Sequence, residues 1–415
     1  MHRKNQRAVG LALAWACCAA AANPTADTAA GASPLRQAFE AAWARQPEAL
    51  ALPDRREAAR AQQQAAQAWT PEPAALELVG KTDRLGRNQG AREREIGIAV
   101  PLWLPGERRG SAALAQAEGQ AVESRASAAR LRVAAAVREA WWQWQRARID
   151  VDIAGQQLDS TRRIAADVAR RARAGDLARA DQHQADGAVA GAAATQAQAE
   201  AALAAAREHL RALTGQLPGA GDAQGLAAEP EPVWAQAPNV THAALQDLQD
   251  RAAVAARTAA LAATRSRGNP ELVLATTRDR GAFGEAAQQS VTLGLRIPLG
   301  DGPRHDARSA GARAEAIELQ AQLALERERL QAEREAVQAR VAAARTQLSA
   351  ATLRAQLARE ARGFFDKSFT LGETDLPTRL RIEAEAAEAE RQAARARIEL
   401  AAAVSAWRQA LGLLP

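Results

Sequence analysis

Two cysteines, Cys17 and Cys18, are the whole supply in 415 residues; there is no tyrosine, and aromatic residues make up only 3%. Both cysteines fall within a leader-like N-terminus. His2, Arg3, Lys4 and Arg7 give it a basic start, and an apolar run from Ala8 to Ala22 follows, ending in small residues. That pattern reads as a secretory signal, residues 1–22, and is too short to span a membrane. Cleavage near Ala22 leaves a mature chain without a thiol. This excludes a disulfide framework, a cysteine nucleophile, a zinc ribbon and a redox pair. The alternative, a lipid anchor at Cys17 or Cys18, fits poorly because Trp15 stands between Ala14 and Ala16 just ahead of them. Beyond the leader there is no run of 18 strongly apolar residues. The Ala-rich stretch 185–206 is interrupted by Asp186, Thr195, Gln196, Gln198 and Glu200, so no transmembrane helix is expected.

Alanine supplies much of the 47% hydrophobic content. Alanine is the best helix former and buries little area, so the composition favours long, closely packed helices over a bulky core. The formal charge of +6 falls by three, to +3, once Arg3, Lys4 and Arg7 are removed with the leader. Arg and Glu interleave along the helices, which reads as a solvated surface and not as nucleic-acid binding. His183, His209, His242 and His305 are dispersed, with no two-His metal motif, and no metal or cofactor is expected. Gly300-Asp301-Gly302 lacks the Lys-Ser/Thr ending of a phosphate loop and reads as a strand-to-helix turn. No catalytic constellation emerges, so no enzyme is expected.

The chain is a tandem duplication. Pro101 and Pro298 lie 197 residues apart, and so do Pro73 and Pro270, Gly175 and Gly372, and Gly215 and Gly412. Ala59-Arg60 and Ala256-Arg257 keep the same offset. Proline and glycine punctuate structure, so a constant spacing among them marks one fold used twice. The first repeat covers 23–215, with strands over about 74–103 and a helical hairpin over about 107–214 turning at Gly175. A Gly/Pro/acid-rich linker, 216–238, follows. The second repeat covers 239–415, with strands over about 271–300 and a hairpin over about 304–411 turning at Gly372. A helical lead-in precedes each strand pair, Leu35–Trp69 and Thr241–Ser266.

Val291, Leu293, Leu295 and Ile297 alternate with Ser290, Thr292, Gly294 and Arg296, and Ile96, Ile98 and Val100 alternate with Glu95, Gly97 and Ala99. Period-two patterning of this kind marks strands with one apolar face. On the long helices Val137, Trp144, Val151 and Leu158 recur every seven residues, with Ala140, Ala147 and Ala154 three positions on; Leu323, Leu330 and Val337, then Val341 and Leu348, continue the pattern in the second repeat. Such heptads imply left-handed coiled coils. Trp141, Trp142 and Trp144 read as packing residues in preference to an aromatic binding patch. The fold class expected is mostly α, with four strands of about ten residues per chain. A tilted strand of about that length spans a bilayer. Strands in lipid leave no open edge, and membrane barrels begin at about eight strands, so several copies must close the barrel together. Pro101 and Pro298 mark the change from barrel to helical tube.

At this point the chain resembles the TolC-type outer-membrane efflux family, from Leu35 to Leu414. The features that carry the resemblance are the duplication, the two prolines and the tip sequences Arg171-Ala-Arg-Ala-Gly175-Asp-Leu-Ala-Arg-Ala-Asp181 and Ser368-Phe-Thr-Leu-Gly372-Glu-Thr-Asp-Leu-Pro-Thr-Arg379. The second tip is similar to the branch that partners heavy-metal efflux pumps. The resemblance implies a homotrimer with a twelve-stranded barrel in the outer membrane of a Gram-negative bacterium and a twelve-helix periplasmic tunnel. It also implies a periplasmic adaptor and an inner-membrane, proton-driven pump of the RND type as partners. The Gly175 and Gly372 turns would be the periplasmic tips, with Arg171, Asp176, Leu177, Leu371, Glu373 and Leu376 exposed for adaptor contact. Asp176, Asp181, Asp366, Glu373 and Asp375 are candidates for an acidic ring at the aperture. Barrels of this kind usually carry aromatic girdles, and here the strand regions offer only Trp103 and Phe283. Drug efflux and polypeptide secretion are rival uses of such a duct. A periplasmic adaptor or a structural coiled coil is the rival of another class, but adaptors usually carry one hairpin, not two.

Overall fold

The computed structural model describes residues 33–86, 88–218, 228–232, 242–300 and 302–415. The leader with Cys17 and Cys18, Asp301 and most of the 216–238 linker lie outside them. Pro34–Pro415 forms one unit.

The chain runs α1 (Pro34–Ala44), α2 (Pro47–Ala66), β1 (Ala75–Thr82), β2 (Arg92–Pro101), α3 (Glu107–Ala174), α4 (Arg179–Thr214), α5 (Ala243–Thr264), β3 (Glu271–Arg280), β4 (Gln288–Arg296), α6 (Gly302–Thr370) and α7 (Leu376–Ala410). It is mostly helical, with one small antiparallel sheet. The first lead-in is two helices, not one. Pro47 opens α2 at its first turn, where a missing N–H costs nothing, and so separates α2 from α1. The second lead-in is the single helix α5.

At about 1.5 Å per residue, α3 with 68 residues and α6 with 69 are each roughly 100 Å long. Each folds back on its return helix, α3 on α4 and α6 on α7. The hairpins meet through α3 and α7, and α5 packs against both α3 and α6. The heptad residues Val137, Trp144 and Leu158 are buried with Ala140, Ala147 and Ala154, while Leu330, Val337 and Val341 are buried on α6. The tryptophans pack against α1: Trp141 and Trp144 lie 5.0 Å apart between ring centroids, in one cluster with Leu35, Phe39 and Leu210.

The duplication extends to backbone geometry. Gly175 and Gly372 have φ of 89° and 81°, and Gly215 and Gly412 have 76° and 78°. These left-handed residues end the four long helices. At both tips the helix closes in the same way: Gly175 N–H bonds Ala172 O and Asp176 N–H bonds Arg171 O, while Gly372 N–H bonds Phe369 O and Glu373 N–H bonds Ser368 O. This double bond pattern satisfies the last helical carbonyls and needs a left-handed residue that glycine adopts without strain.

The sheet has the order β1-β2-β3-β4. Its register places Leu76 opposite Ile98, Leu78 opposite Ile96, Ile98 opposite Leu274, Val100 opposite Leu272, Leu274 opposite Leu293 and Leu272 opposite Leu295. Directly opposed residues share a face, so the leucines and isoleucines of the four strands lie on one face, while Val79 and Val273 lie on the other. No helix among the described residues is long and apolar enough to cross a membrane.

Candidate functional site

Three regions carry functional geometry: the two faces of the sheet, the joint beneath it and the pair of helical tips. The apolar face is open to solvent. Leu76 is 65% exposed, Leu78 70%, Val291 72% and Leu293 71%. Bare leucines and valines over four adjacent strands cannot be a water-facing surface of ordinary composition. The opposite face carries Glu77, Lys81, Glu93, Glu95, Glu271, Thr277, Asp279, Ser290, Thr292 and Arg296 around small residues, Gly97, Ala99 and Ala275. Lys81 pairs with Glu93 at 2.9 Å and Arg296 with Glu271 at 3.5 Å. Among the described residues Glu77, Glu95 and Asp279 have no such partner, so this face is acidic. Strands β1 and β4 each pair on one side only, leaving two open edges.

Pro101 is the last residue of β2, and Pro298 follows the end of β4 by two residues. Below Pro101 the joint is held by a residue the sequence reading missed, Glu107. Its side chain is 1% exposed. One carboxylate oxygen pairs with Arg265 Nε at 2.7 Å; the other accepts from Leu104 N–H at 3.0 Å and from Asn269 Nδ2 at 2.6 Å. As the first residue of α3 it also sits where a helix favours a carboxylate. It thus ties α3, the end of α5 and the approach to β3 together. Trp103, expected as a strand aromatic, lies beyond β2, and its indole N–H donates to Ala68 O at 3.2 Å. Phe283 lies in the β3–β4 loop, and its N–H bonds Gln89 O at 2.8 Å, joining the two hairpin loops.

The tips are joined to each other. Phe369 is 2% exposed and packs with Ile164, Ala165, Val168, Ala185 and Leu376. Guanidinium groups from both tips lie over its ring, Arg171 at 4.9 Å and Arg379 at 4.6 Å from the centroid. Arg171 also donates to Phe369 O at 3.2 Å and pairs with Asp167 at 3.3 Å; Arg379 pairs with Asp366. Asp167, Phe369 and Arg379 were not singled out from sequence.

This packing corrects several expectations. Leu376 is 2% exposed, not free for a partner, because the first turn of α7 lays it on the tip cluster. Arg171 and Leu177 are half-buried for the same reason. Gly175, Asp176, Leu371, Gly372 and Glu373 are exposed. Three of the five aperture candidates have local partners. Asp181 Oδ2 accepts from Ala178 N–H at 3.1 Å and Asp375 Oδ1 from Thr378 N–H at 3.2 Å, each at a helix start, and Asp366 serves Arg379. The Asp375 carboxyl is held below its ordinary range, first by the Thr378 side chain and then by the Thr378 N–H. Its cap therefore operates above the unfolded carboxylate range and is lost as pH falls through the lowered value. Asp176 and Glu373 have no ion pair among the described residues.

His242 and His305 have structural surroundings. His242 Nδ1 accepts from Ala244 N–H at 3.3 Å at the start of α5, and burial lowers its pKa; His305 Nδ1 lies 3.2 Å from Arg265 O. Among the described residues no group of three or more His, Cys, Asp or Glu is placed to hold a metal ion.

Phe369 makes a first prediction. Replacing it by alanine empties the cluster shared by the two tips and removes the ring beneath both guanidiniums, at a cost of roughly 3–5 kcal/mol. Amide hydrogen exchange should rise at 164–189 and 365–383 while α1 and the upper part of α3 stay protected.

An exposed apolar sheet face, two open strand edges and helical hairpins of roughly 100 Å define the fold class: long helical hairpins joined to a small antiparallel sheet. Residues 39–216, which span the first repeat, match the family described as outer membrane efflux protein. Solved structures share the fold over both repeats. The outer membrane protein VceC from Vibrio cholerae superposes with a TM-score of 0.72 at 17% identity, covering 91% of this chain and 96% of VceC. The open state of the MtrE outer membrane channel from Neisseria gonorrhoeae gives 0.72 at 16%, covering 92% and 89%. The CmeC outer membrane channel from Campylobacter jejuni gives 0.71 at 14%, covering 91% and 85%. A search of curated proteins gave no significant match.

Proposed function

We propose that three copies of this chain form an outer-membrane duct. β4 of each copy pairs with β1 of the next, closing a twelve-stranded barrel whose apolar face meets lipid. The α-hairpins continue it as a periplasmic tunnel. The observation that carries the reading is the sheet itself: an apolar face bare of cover, bounded by two unpaired edges. Open edges are not tolerated in lipid, and one chain supplies half the strands of the smallest membrane barrels.

The duct serves a tripartite pump. A periplasmic adaptor docks at the tips, where Asp176, Leu371 and Glu373 are the exposed side chains beside Gly175 and Gly372. An inner-membrane, proton-driven pump of the RND type supplies the cargo. The cargo class we infer is cationic, heavy-metal ions foremost. Glu77, Glu95 and Asp279 without basic partners on the inner sheet face, repeated threefold, favour cations along the pore. Asp176 and Glu373 extend this preference to the periplasmic entrance.

Deleting the gene and titrating the strain with copper, cobalt, zinc and common drugs tests the cargo. Hypersensitivity to metal alone supports the cationic reading; hypersensitivity to neutral or anionic drugs alone, or a secretion defect alone, contradicts it. In planar bilayers the variant E77Q/E95Q/D279N should conduct with its cation-over-anion preference sharply reduced. D176N/E373Q should lower cation conductance without changing the threefold assembly. Unchanged selectivity in both would remove the acidic faces from the account.

A further inference from the structure

The apolar face of the sheet changes character toward its hairpin loops. In register, Arg92 stands opposite Arg280 and Arg94 opposite Arg278, on the face that carries Ile96, Ile98, Leu272 and Leu274. The five strand carboxylates, Glu77, Glu93, Glu95, Glu271 and Asp279, all lie on the other face. Two successive rungs of directly opposed arginines therefore share a face with no acid. Like charges placed directly opposite one another destabilise a sheet. Protection of a sheet edge, a common reason for strand cations, does not apply, because β2 and β3 are the two central strands. The Arg280 guanidinium donates to Gly90 O at 3.3 Å and lies 5.8 Å from the Phe283 ring centroid. Arg92, Arg94 and Arg278 have no ion pair among the described residues.

The position of these arginines names their partner. They are continuous with the lipid-facing rows and lie at the end of the strands remote from the helices. In a barrel whose helices are periplasmic, that end is the outer leaflet. Arginine recognises phosphate with paired, charge-assisted hydrogen bonds, and basic residues flanking an apolar surface bind anionic headgroups. We propose that Arg92, Arg94, Arg278 and Arg280 form a belt on the outside of the barrel that binds the phosphate groups of outer-leaflet glycolipid. Three copies would place twelve arginines around the rim. This rests on the duct reading, which sets which leaflet the loops reach.

The test uses the full-length protein in nanodiscs, probed with lipid A, dephosphorylated lipid A and inorganic phosphate, with channel conductance recorded in parallel. Wild type should bind lipid A and discriminate against its dephosphorylated form, and millimolar inorganic phosphate should not displace it. R92Q/R94Q/R278Q/R280Q should bind lipid A roughly a hundredfold more weakly. R94Q/R278Q, which removes one rung, should show an intermediate loss if the fourfold variant fails to insert. Arg296→Gln, on the opposite face, should bind as wild type does. Equal lipid A binding by wild type and the arginine variants, no discrimination against the dephosphorylated form, or displacement by inorganic phosphate would each overturn the belt. If wild type conducts while the belt fails, the duct stands; if wild type neither assembles nor conducts, the duct reading itself falls.

Discussion

Replacing Leu274 and Leu293 together by arginine should keep the protein from inserting into the outer membrane. The two residues oppose each other across β3 and β4 and are 52% and 71% exposed on the bare apolar face. An arginine on the lipid face of a barrel costs roughly 2–4 kcal/mol near the midplane. Two sites per copy would repeat that cost six times in a trimer. Both side chains lie on the exposed face of the sheet and belong to none of the buried helical clusters, so the helices should still form. Membrane fractionation would then find the variant outside the outer-membrane fraction. Thr292→Arg, one residue from Leu293 but on the opposite face, should insert normally and lower cation preference instead. Equal insertion of L274R/L293R and wild type would mean that this face does not meet lipid.

The second large effect concerns Glu229. The linker segment 228–232 is pinned to the helices by one carboxylate. Arg138 donates to both Glu229 oxygens, at 2.6 and 2.9 Å, and Arg408 Nε donates to one at 3.0 Å. Arg138 and Glu229 side chains are each 4% exposed. Gln409 completes the set, accepting from Arg138 at 2.6 Å and donating to Leu131 O at 2.9 Å. Glu229→Ala would leave the Arg138 charge buried and uncompensated, which costs roughly 3–5 kcal/mol, a large part of the ~5–15 kcal/mol that holds a typical domain together. Urea unfolding followed by helical ellipticity should show the loss. Glu231→Ala, which breaks the more exposed pair with Arg345, should cost only about 0–1 kcal/mol. Replacing Arg138 and Glu229 together by Met and Leu should recover most of the stability, because the penalty lies in the unpaired charge and not in the loss of the pair as such.

The parts of the fold legible from sequence were those set by local period and by backbone chemistry. Val291, Leu293 and Leu295 alternate because one face of β4 is apolar. Val137, Trp144 and Leu158 recur because α3 presents one seam to its neighbours. Gly175 and Gly372 stand at turns that require a left-handed residue. The parts that were not legible depend on residues far apart in the chain. Leu376 reads as exposed beside a turn, and only the arrival of Ile164 and Val168 from the other repeat buries it. Glu107 has Arg304 as its counterpart at the 197-residue offset, so the duplication gave no hint of its role. Glu229 sits in a Gly/Pro-rich segment that reads as solvated linker, yet Arg138 and Arg408 come from α3 and α7 to enclose it. The acids of the tips illustrate the same division: Asp181 and Asp375 follow the local preference of helix starts, whereas the pairing of Asp366 with Arg379 requires the α6–α7 turn to be closed.

Electron microscopy of the detergent-solubilised full-length chain tests the central claim most directly. The account requires projections with threefold symmetry and an open centre, and a reconstruction in which β4 of each copy lies hydrogen-bonded to β1 of its neighbour. Single copies, or assemblies without a central channel and with those two strands unpaired, would contradict it.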